Sequence, residues 1–195
     1  MRGLWRAAVR ATLLAGAVGV VRQRRQALAV RRGALPADGP AGRRPPPASL
    51  PAPARRLARW VPAAPRTPLG RVAAALWAAP LTTLGMAVAL ASGARPRWDA
   101  RRRCLVATGV AGPSAVALRT VGAGANTVGQ VVLCRADDPS STLLDHEAVH
   151  VRQAERLGPA LVPVYLWANA LFGYRDNPLE HAARRGAAEG LTAPG

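Results

Sequence analysis

Apolar residues in this 195-residue chain gather into three runs that contain no charged residue. The runs cover residues 11–21, 72–91 and 161–172. The middle run is twenty residues long, which is the length that a transmembrane helix needs. We therefore expect one membrane-spanning helix within residues 67–93, with a buried helix of a soluble domain as the alternative.

The two shorter runs predict other roles. Residues 11–21 have the length of a signal-peptide core, but the residues after them, Gln23-Arg24-Arg25-Gln26, do not form a small-residue cleavage site. Residues 161–172 are too few to cross a bilayer and predict a packing or interfacial helix.

Arginines flank the 72–91 run on both sides, so the positive-inside rule does not fix which side of the membrane holds the rest of the chain.

Between the second and third runs, the pattern favours three β-strands. We predict them at residues 98–108, 114–121 and 127–134, with glycine-rich turns at 109–113 and 122–126. The part of the third strand at 127–133 is a candidate edge strand that could hold a peptide by strand addition. A simple core strand is the alternative.

Helix signals follow the strands. Ser140 or Ser141 is expected to cap a helix over residues 142–157, which Gly158 and Pro159 end. A helix over 161–172 comes next, and Asn177 with Pro178 predicts the start of a third. Three strands followed by three helices give an α+β fold over residues 94–195.

The predicted helix at 142–157 carries the chemistry. The chain has three histidines, and two of them form the sequence His146-Glu147-Ala148-Val149-His150. Residues four apart lie above one another on a helix, so both imidazoles can reach one metal ion while Glu147 reaches a water bound to it. Gln153 lies on the same face, either lining the cleft or as an ordinary solvated residue.

A zinc ion needs a third protein ligand. The metzincin pattern would require glycine at 153 and histidine at 156, and the chain has Gln153 and Arg156. Glu180 and His181 are the remaining candidates, and adjacent helical residues point about 100° apart. Glu180 has an alternative role, since it stands where a capping-box glutamate belongs.

These residues resemble the gluzincin arrangement of an H-E-x-x-H helix followed by a helix that begins Asn-Pro-x-Glu. More closely, they resemble a group of short bacterial membrane-associated proteins with H-E-x-x-H-x-x-Q and a downstream N-P-x-E. The matching residues are His146, Glu147, His150, Gln153, Asn177, Pro178 and Glu180. The resemblance implies a zincin-like domain with Glu180 as third ligand. The chain departs from the group at Ala182, where a second glutamate is usual.

The expected chemistry is zinc-dependent hydrolysis of a peptide or protein substrate. His146, His150 and Glu180 would hold Zn²⁺, and Glu147 would act as the general base. Tyr174 is our candidate for a catalytic donor to the oxyanion, with Tyr165 and Arg175 as alternatives. Asp145 or Asp176 could orient a ligand histidine.

Charge is distributed unevenly along the chain. Residues 1–66 contain fourteen arginines and one acid, and the whole chain has a net charge of +17 without any lysine. This composition predicts a disordered basic segment over residues 1–66. We expect contact with membrane lipid and no specific nucleic-acid binding.

Cys104 and Cys134 are expected to be buried free thiols, with a disulfide or a metal-ligand role for Cys134 as alternatives.

Together these patterns predict a single-pass, membrane-anchored zinc metallopeptidase. The main alternative is a non-catalytic, basic membrane-associated protein whose H-E-x-x-H helix is structural or only binds metal. A zinc hydrolase acting on a non-peptide amide is a third reading. The sequence carries no signal for an oligomeric state.

Overall fold

The computed structural model describes residues 2–36 and 45–190. It confirms the α+β class. The elements in chain order are α1 (Arg2–Arg31), α2 (Ala52–Ala58), α3 (Pro68–Ala91), β1 (Arg97–Asp99), β2 (Cys104–Ala107), α4 (Gly112–Val121), β3 (Ala125–Val128), β4 (Val131–Cys134), α5 (Ser141–Leu157), α6 (Leu161–Asp176) and α7 (Pro178–Glu189), with a short 3-10 helix (Gly158–Ala160) between α5 and α6.

The four strands form one mixed sheet in the order β1-β2-β4-β3. Strands β2 and β4 are parallel, and the two outer pairs are antiparallel. The predicted single strand at 127–134 is therefore wrong, because it is a hairpin in which β3 is the edge strand and β4 is internal. Gly129 makes the turn at a φ of 64°, and a Cβ there would lie 2.3 Å from the backbone nitrogen of Thr82.

The predicted strand at 98–108 is likewise two strands. Residues 100–103 form a turn between β1 and β2, and the Asp99 carboxylate accepts the backbone N–H of Arg102 across it at 3.0 Å. This local bond gives the chain an alternative to a continued ladder.

The strand predicted at 114–121 is also wrong, since these residues form α4. Pro113 stands in the first turn of this helix, and Gly122 ends it at a φ of 71°, as is usual for these two residues. Ala115 and Leu118 are buried three residues apart, which fits a helix face rather than alternation. Because β2 and β4 run parallel, the chain also needs a crossover connection between them, and α4 is part of it.

The prediction of disorder for residues 1–66 is wrong for most of the segment. Helix α1 packs along α6, where Gly16 lies against Leu166 and Gly19 against Asn169. Small residues at such positions allow two helix backbones to approach closely. Residues 37–44 of the predicted disordered segment lie outside the described residues.

Helix α3 is, within the described part of the chain, the one helix long and apolar enough to cross a membrane. Thr67 caps it by accepting the N–H of Gly70. One face of α3 is buried against the sheet and α5, through Ala74, Ala78, Leu81, Gly85 and Ala89. Packing therefore continues across residue 94, where the sequence suggested a domain boundary.

The three helices after the sheet begin as predicted. Ser140 caps α5 by accepting the N–H of Leu143 at 3.3 Å, and Asn177 caps α7 by accepting the N–H of Leu179 at 3.0 Å. Helix α6 is broken at Gly173, whose φ is 75°. These caps and the break bring α5 and α7 side by side, which positions the site described next.

Candidate metal centre

Three metal-ligating side chains from two helices converge in the interior. His146 and His150 come from α5, and Glu180 comes from the first turn of α7. The two Nε2 atoms of the histidines lie 3.3 Å apart. Glu180 completes the triangle, with Oε2 3.3 Å from His146 Nε2 and Oε1 3.3 Å from His150 Nε2.

These separations fit the ligands of a small tetrahedral metal ion. Zinc binds nitrogen and oxygen ligands at about 2.0–2.1 Å, so two ligands of a tetrahedral site stand about 3.3–3.4 Å apart. Within the described residues, Glu180 Oε2 is buried and makes no hydrogen bond. Two imidazole nitrogens and a carboxylate can therefore hold a metal ion, with one tetrahedral position left over.

Electrostatics at the cluster favour a positive charge. Burial lowers the pKa of His150, but the neighbouring Glu180 carboxylate outweighs it and raises that pKa to about 9. Burial raises the pKa of Glu180, yet the two histidines hold it well below its usual range. In the metal-free protein a proton on His150 supplies the charge that a metal ion would otherwise bring.

Gln153 orients the His150 ring through a hydrogen bond to Nδ1, the ring nitrogen that does not face the cluster. His150 Nδ1 donates to Gln153 Oε1 at 2.8 Å, and Gln153 Nε2 donates to the Leu179 carbonyl oxygen at 3.3 Å. This bond fixes the tautomer that leaves Nε2 as the ligand atom. The Gln153 side chain is fully buried, so it neither lines a cleft nor faces solvent, and it ties α5 to the first turn of α7.

Glu147 lies beside the three ligands without being one of them. Its Oε2 accepts a hydrogen bond from the Thr127 hydroxyl at 2.6 Å. Thr127 is on the edge strand β3, so the strand and the glutamate are in direct contact. The sequence placed Thr127 on a strand but gave no signal that it meets Glu147.

His181 is not part of the metal cluster. Its Nε2 lies 3.8 Å from Asp176 Oδ1, while the clustered ligand group contains Glu180. Of the two third-ligand candidates, the fold thus brings Glu180 to the two histidines. Asp145 lies with Arg102, whose Nε donates to it at 2.7 Å.

Two tyrosines stand close to Glu180. The Tyr165 hydroxyl donates to Glu180 Oε1 at 2.7 Å, and its ring lies nearly perpendicular to His150 with centroids 6.3 Å apart. Burial and the charge of Glu180 raise the pKa of both Tyr165 and Tyr174. Tyr174 also has the Arg184 guanidinium over its ring, at 5.7 Å from the centroid. Both hydroxyls therefore stay protonated, as hydrogen-bond donors must.

The cysteines are free and buried, as predicted. They lie on β2 and β4 in an apolar cluster with Ala125, Val132 and Val151. Burial raises the pKa of each thiol to about 12. Neither cysteine belongs to the ligand group described above.

A second set of charges, four buried and one half-buried, lies on the other side of α5, and we call it the arginine cluster: Arg102, Arg152, Asp145 and Glu155, with Asp99 half-buried. Arg102 donates to Asp99 at 2.8 Å and to Asp145 at 2.7 Å. Arg152 donates to Glu155 at 2.8 Å, and Gln130 donates to the other oxygen of the same carboxylate at 2.8 Å. Every charge in this cluster has an opposite charge within hydrogen-bond distance.

Comparisons with protein-family models, with curated proteins and with solved structures find no match for this chain. The gluzincin resemblance therefore rests on the motif residues and their arrangement.

Proposed function

We propose that this chain is a membrane-associated, zinc-dependent metallopeptidase of gluzincin type. One observation carries the proposal: the Nε2 atoms of His146 and His150 lie 3.3 Å apart, and each lies 3.3 Å from one oxygen of the Glu180 carboxylate, beside a glutamate outside this group. The spacing is that of a tetrahedral zinc site, and the glutamate is where a general base is needed.

His146, His150 and Glu180 would hold the metal. When bound, a zinc ion lowers the pKa of a coordinated water to about 7 and polarises the carbonyl to be cleaved. Glu147 takes the proton from the attacking water and passes it to the leaving amine. The Thr127 hydroxyl donates to Glu147 Oε2 at 2.6 Å, which orients the carboxylate for this role.

Substrate contacts follow from the same arrangement. Strand β3 is at the edge of the sheet and touches Glu147 through Thr127, so an extended peptide added to β3 would lie next to the base. Tyr165 and Tyr174 supply hydroxyl donors beside the metal ligands, where negative charge develops on the substrate oxygen. Tyr165 joins Tyr174 as a candidate on the strength of its bond to Glu180.

The test uses the full chain and its Glu147→Gln variant. Zinc content is measured by mass spectrometry, and hydrolysis is measured on a library of quenched fluorescent peptides. We expect about one zinc per chain in both proteins, and a loss of activity of about a hundredfold or more in the variant. Glu189→Gln, which removes a half-exposed carboxylate at the end of α7, is the matched control and should retain both.

Two outcomes would contradict the proposal. A folded wild-type chain without zinc would favour a non-catalytic basic protein with a structural H-E-x-x-H helix. Zinc binding without cleavage of any peptide in the library would favour either a metal-binding role or hydrolysis of another amide, which a non-peptide amide panel separates.

A further inference from the structure

Helix α3 is apolar on two opposite faces. The buried face has been described above. On the other side, leucine and valine side chains form an exposed stripe, which we call the outer stripe: Leu69, Val72, Leu76, Leu84 and Leu90, each at least 55% exposed. No charge interrupts α3 from residue 72 to residue 91. A contiguous exposed apolar surface of this kind marks an interaction site.

The buried face shows that α3 is docked on the rest of the protein over most of its length. Trp77 lies against Gly158, Leu81 belongs to one buried apolar cluster with Leu179, and Ala89 belongs to another with Leu118. The Thr82 hydroxyl accepts the backbone N–H of Gln130 from the β3–β4 turn at 3.1 Å. These contacts extend over about 18 Å of the helix axis.

This docking conflicts with a helix that crosses the bilayer. If α3 crossed it, the sheet would lie at the depth of the hydrocarbon, since the β3–β4 turn touches the middle of the helix. The edge strands β1 and β3 would then present unpaired backbone groups to lipid, which does not occur in membrane proteins. Exposed arginines nearby, such as Arg97 and Arg135, would add a further cost of several kcal/mol.

The ends of α3 fit the surface of a membrane with anionic lipids. Arg66 and Arg71 lie exposed at its start, and Arg95 and Arg97 lie exposed just after its end. Trp98 is 60% exposed beside them, and tryptophan is a residue typical of the membrane–water interface. Between Asp38 and Asp99 the chain has no acidic residue, so every charged side chain on α3 and on the segments that join it, from residue 39 to residue 98, is positive.

We propose that α3 lies in the plane of an anionic membrane surface, with the outer stripe in the headgroup region and the metal-site domain on the aqueous side. An in-plane helix buries its apolar face by about 5–10 Å and gains from cations at its margins. The proposal goes beyond the metallopeptidase function and is independent of it, because it concerns only how the protein meets the membrane.

The first test maps both ends of α3 with single cysteines. Arg66→Cys and Arg95→Cys variants of the full chain are treated with a membrane-impermeant maleimide, in intact spheroplasts and in inverted vesicles of the expression host. The native thiols stay silent because they are fully buried with a raised pKa, which the wild-type chain verifies. In-plane docking predicts that both new cysteines react in the same preparation. Reaction of one cysteine in each preparation would mean that α3 spans the membrane.

The second test asks whether the outer stripe makes the contact. Binding of the full chain to vesicles that contain anionic phospholipid is compared between wild type and the double variant Leu76→Glu/Leu84→Glu. We expect binding to weaken by more than about tenfold. Val116→Glu, at a similarly exposed apolar position on α4, should bind as wild type does. Unchanged binding in the double variant, or no binding of wild type, would overturn the proposal even if zinc and activity are normal.

Discussion

Helix α5 separates two groups of charged side chains, the arginine cluster and the metal group of His146, His150 and Glu180. They differ in whether the fold supplies the counter-charges that each group needs. In the arginine cluster, carboxylates and guanidiniums pair at 2.7–2.8 Å. In the metal group, two imidazoles meet one carboxylate, with each Nε2 atom 3.3 Å from an oxygen of Glu180.

The difference teaches how to separate a structural cluster from a site for a ligand. Buried charges need partners, and removing one partner of a closed pair is costly. The arginine cluster contains its own counter-charges, so the fold alone completes it. In the metal group three candidate ligands converge, and a proton or a metal cation among them supplies the positive charge that the Glu180 carboxylate attracts.

The largest expected effect is loss of the metal. Replacing Glu180 with alanine should reduce zinc from about one per chain to near zero, because two imidazoles alone bind zinc weakly. The control variant is His181→Ala, which changes the neighbouring residue. It should retain about one zinc per chain. Zinc content by mass spectrometry decides between them, and the reverse result would make His181 the ligand.

Breaking the arginine cluster should cost stability and leave zinc in place. Arg102→Ala leaves Asp99 and Asp145 without their buried partner, which should lower the free energy of unfolding by about 3 kcal/mol. The matched variant is Arg101→Ala, which removes an arginine that is half exposed and 3.6 Å from Asp145, for a cost below about 1 kcal/mol. Urea denaturation of the zinc-loaded proteins measures both. Equal losses in the free energy of unfolding for the two variants would show that the buried pairs of Arg102 stabilise the protein no more than a surface ion pair does.

The stability of the metal-free protein and its affinity for zinc should change in opposite directions with pH. In the metal-free protein the pKa of His150 is raised from 6.5 to about 9, so its stabilising effect is complete below pH 6.5 and disappears as the pH rises through 9. The free energy of unfolding should therefore fall over this range. Zinc needs the neutral imidazole, so zinc affinity should rise over the same range, with about one proton released per metal bound near pH 7.

Titration calorimetry in buffers of different ionisation enthalpy counts that proton, and thermal unfolding at several pH values gives the stability. His181→Ala should keep both trends. A metal-free stability that does not change between pH 6.5 and 9 would contradict the assigned charge on His150.

The smallest effect should come from Gln153. Replacing it with alanine frees the His150 ring and should weaken zinc binding by about 10–100-fold. Gln130→Ala is the corresponding change in the arginine cluster, since Gln130 donates to Glu155 at 2.8 Å. That variant should leave zinc affinity unchanged. Competition with a chromophoric chelator measures both, and equal zinc affinities in the two variants would remove the positioning role of Gln153.

The side chains that cluster were predictable because their signals are local. The i, i+4 spacing of His146 and His150 and the caps at Ser140 and Asn177 each depend on a few adjacent residues. The choice of Glu180 over His181 could not be made from spacing alone. It depends on how α7 rotates against α5, which the fully buried Leu179 and Gln153 fix in the folded protein.

The errors in the fold prediction have a common origin. Helix α4 was predicted as a strand because its short run of alanine, valine and leucine fits either state until tertiary contacts select one. Helix α1 was assigned to a disordered segment on the arginine content of residues 1–66, although the apolar run at 11–21, which packs on α6, lies inside that segment. The bond between Thr127 and Glu147 joins residues 20 apart and leaves no trace in either local pattern.

The contact between α1 and α6 has a consequence for the order in which the chain can fold. Arg22 on α1 donates to the carbonyl oxygens of Ala170 and Leu171 just before the break in α6, across 148 residues of sequence. A ribosome that adds about 5–20 residues per second needs roughly 7–30 s to make that stretch. For this time α1 has been made and its partner has not, so the face of α1 that packs on α6 stays without its native contact until Ala170 and Leu171 have been added.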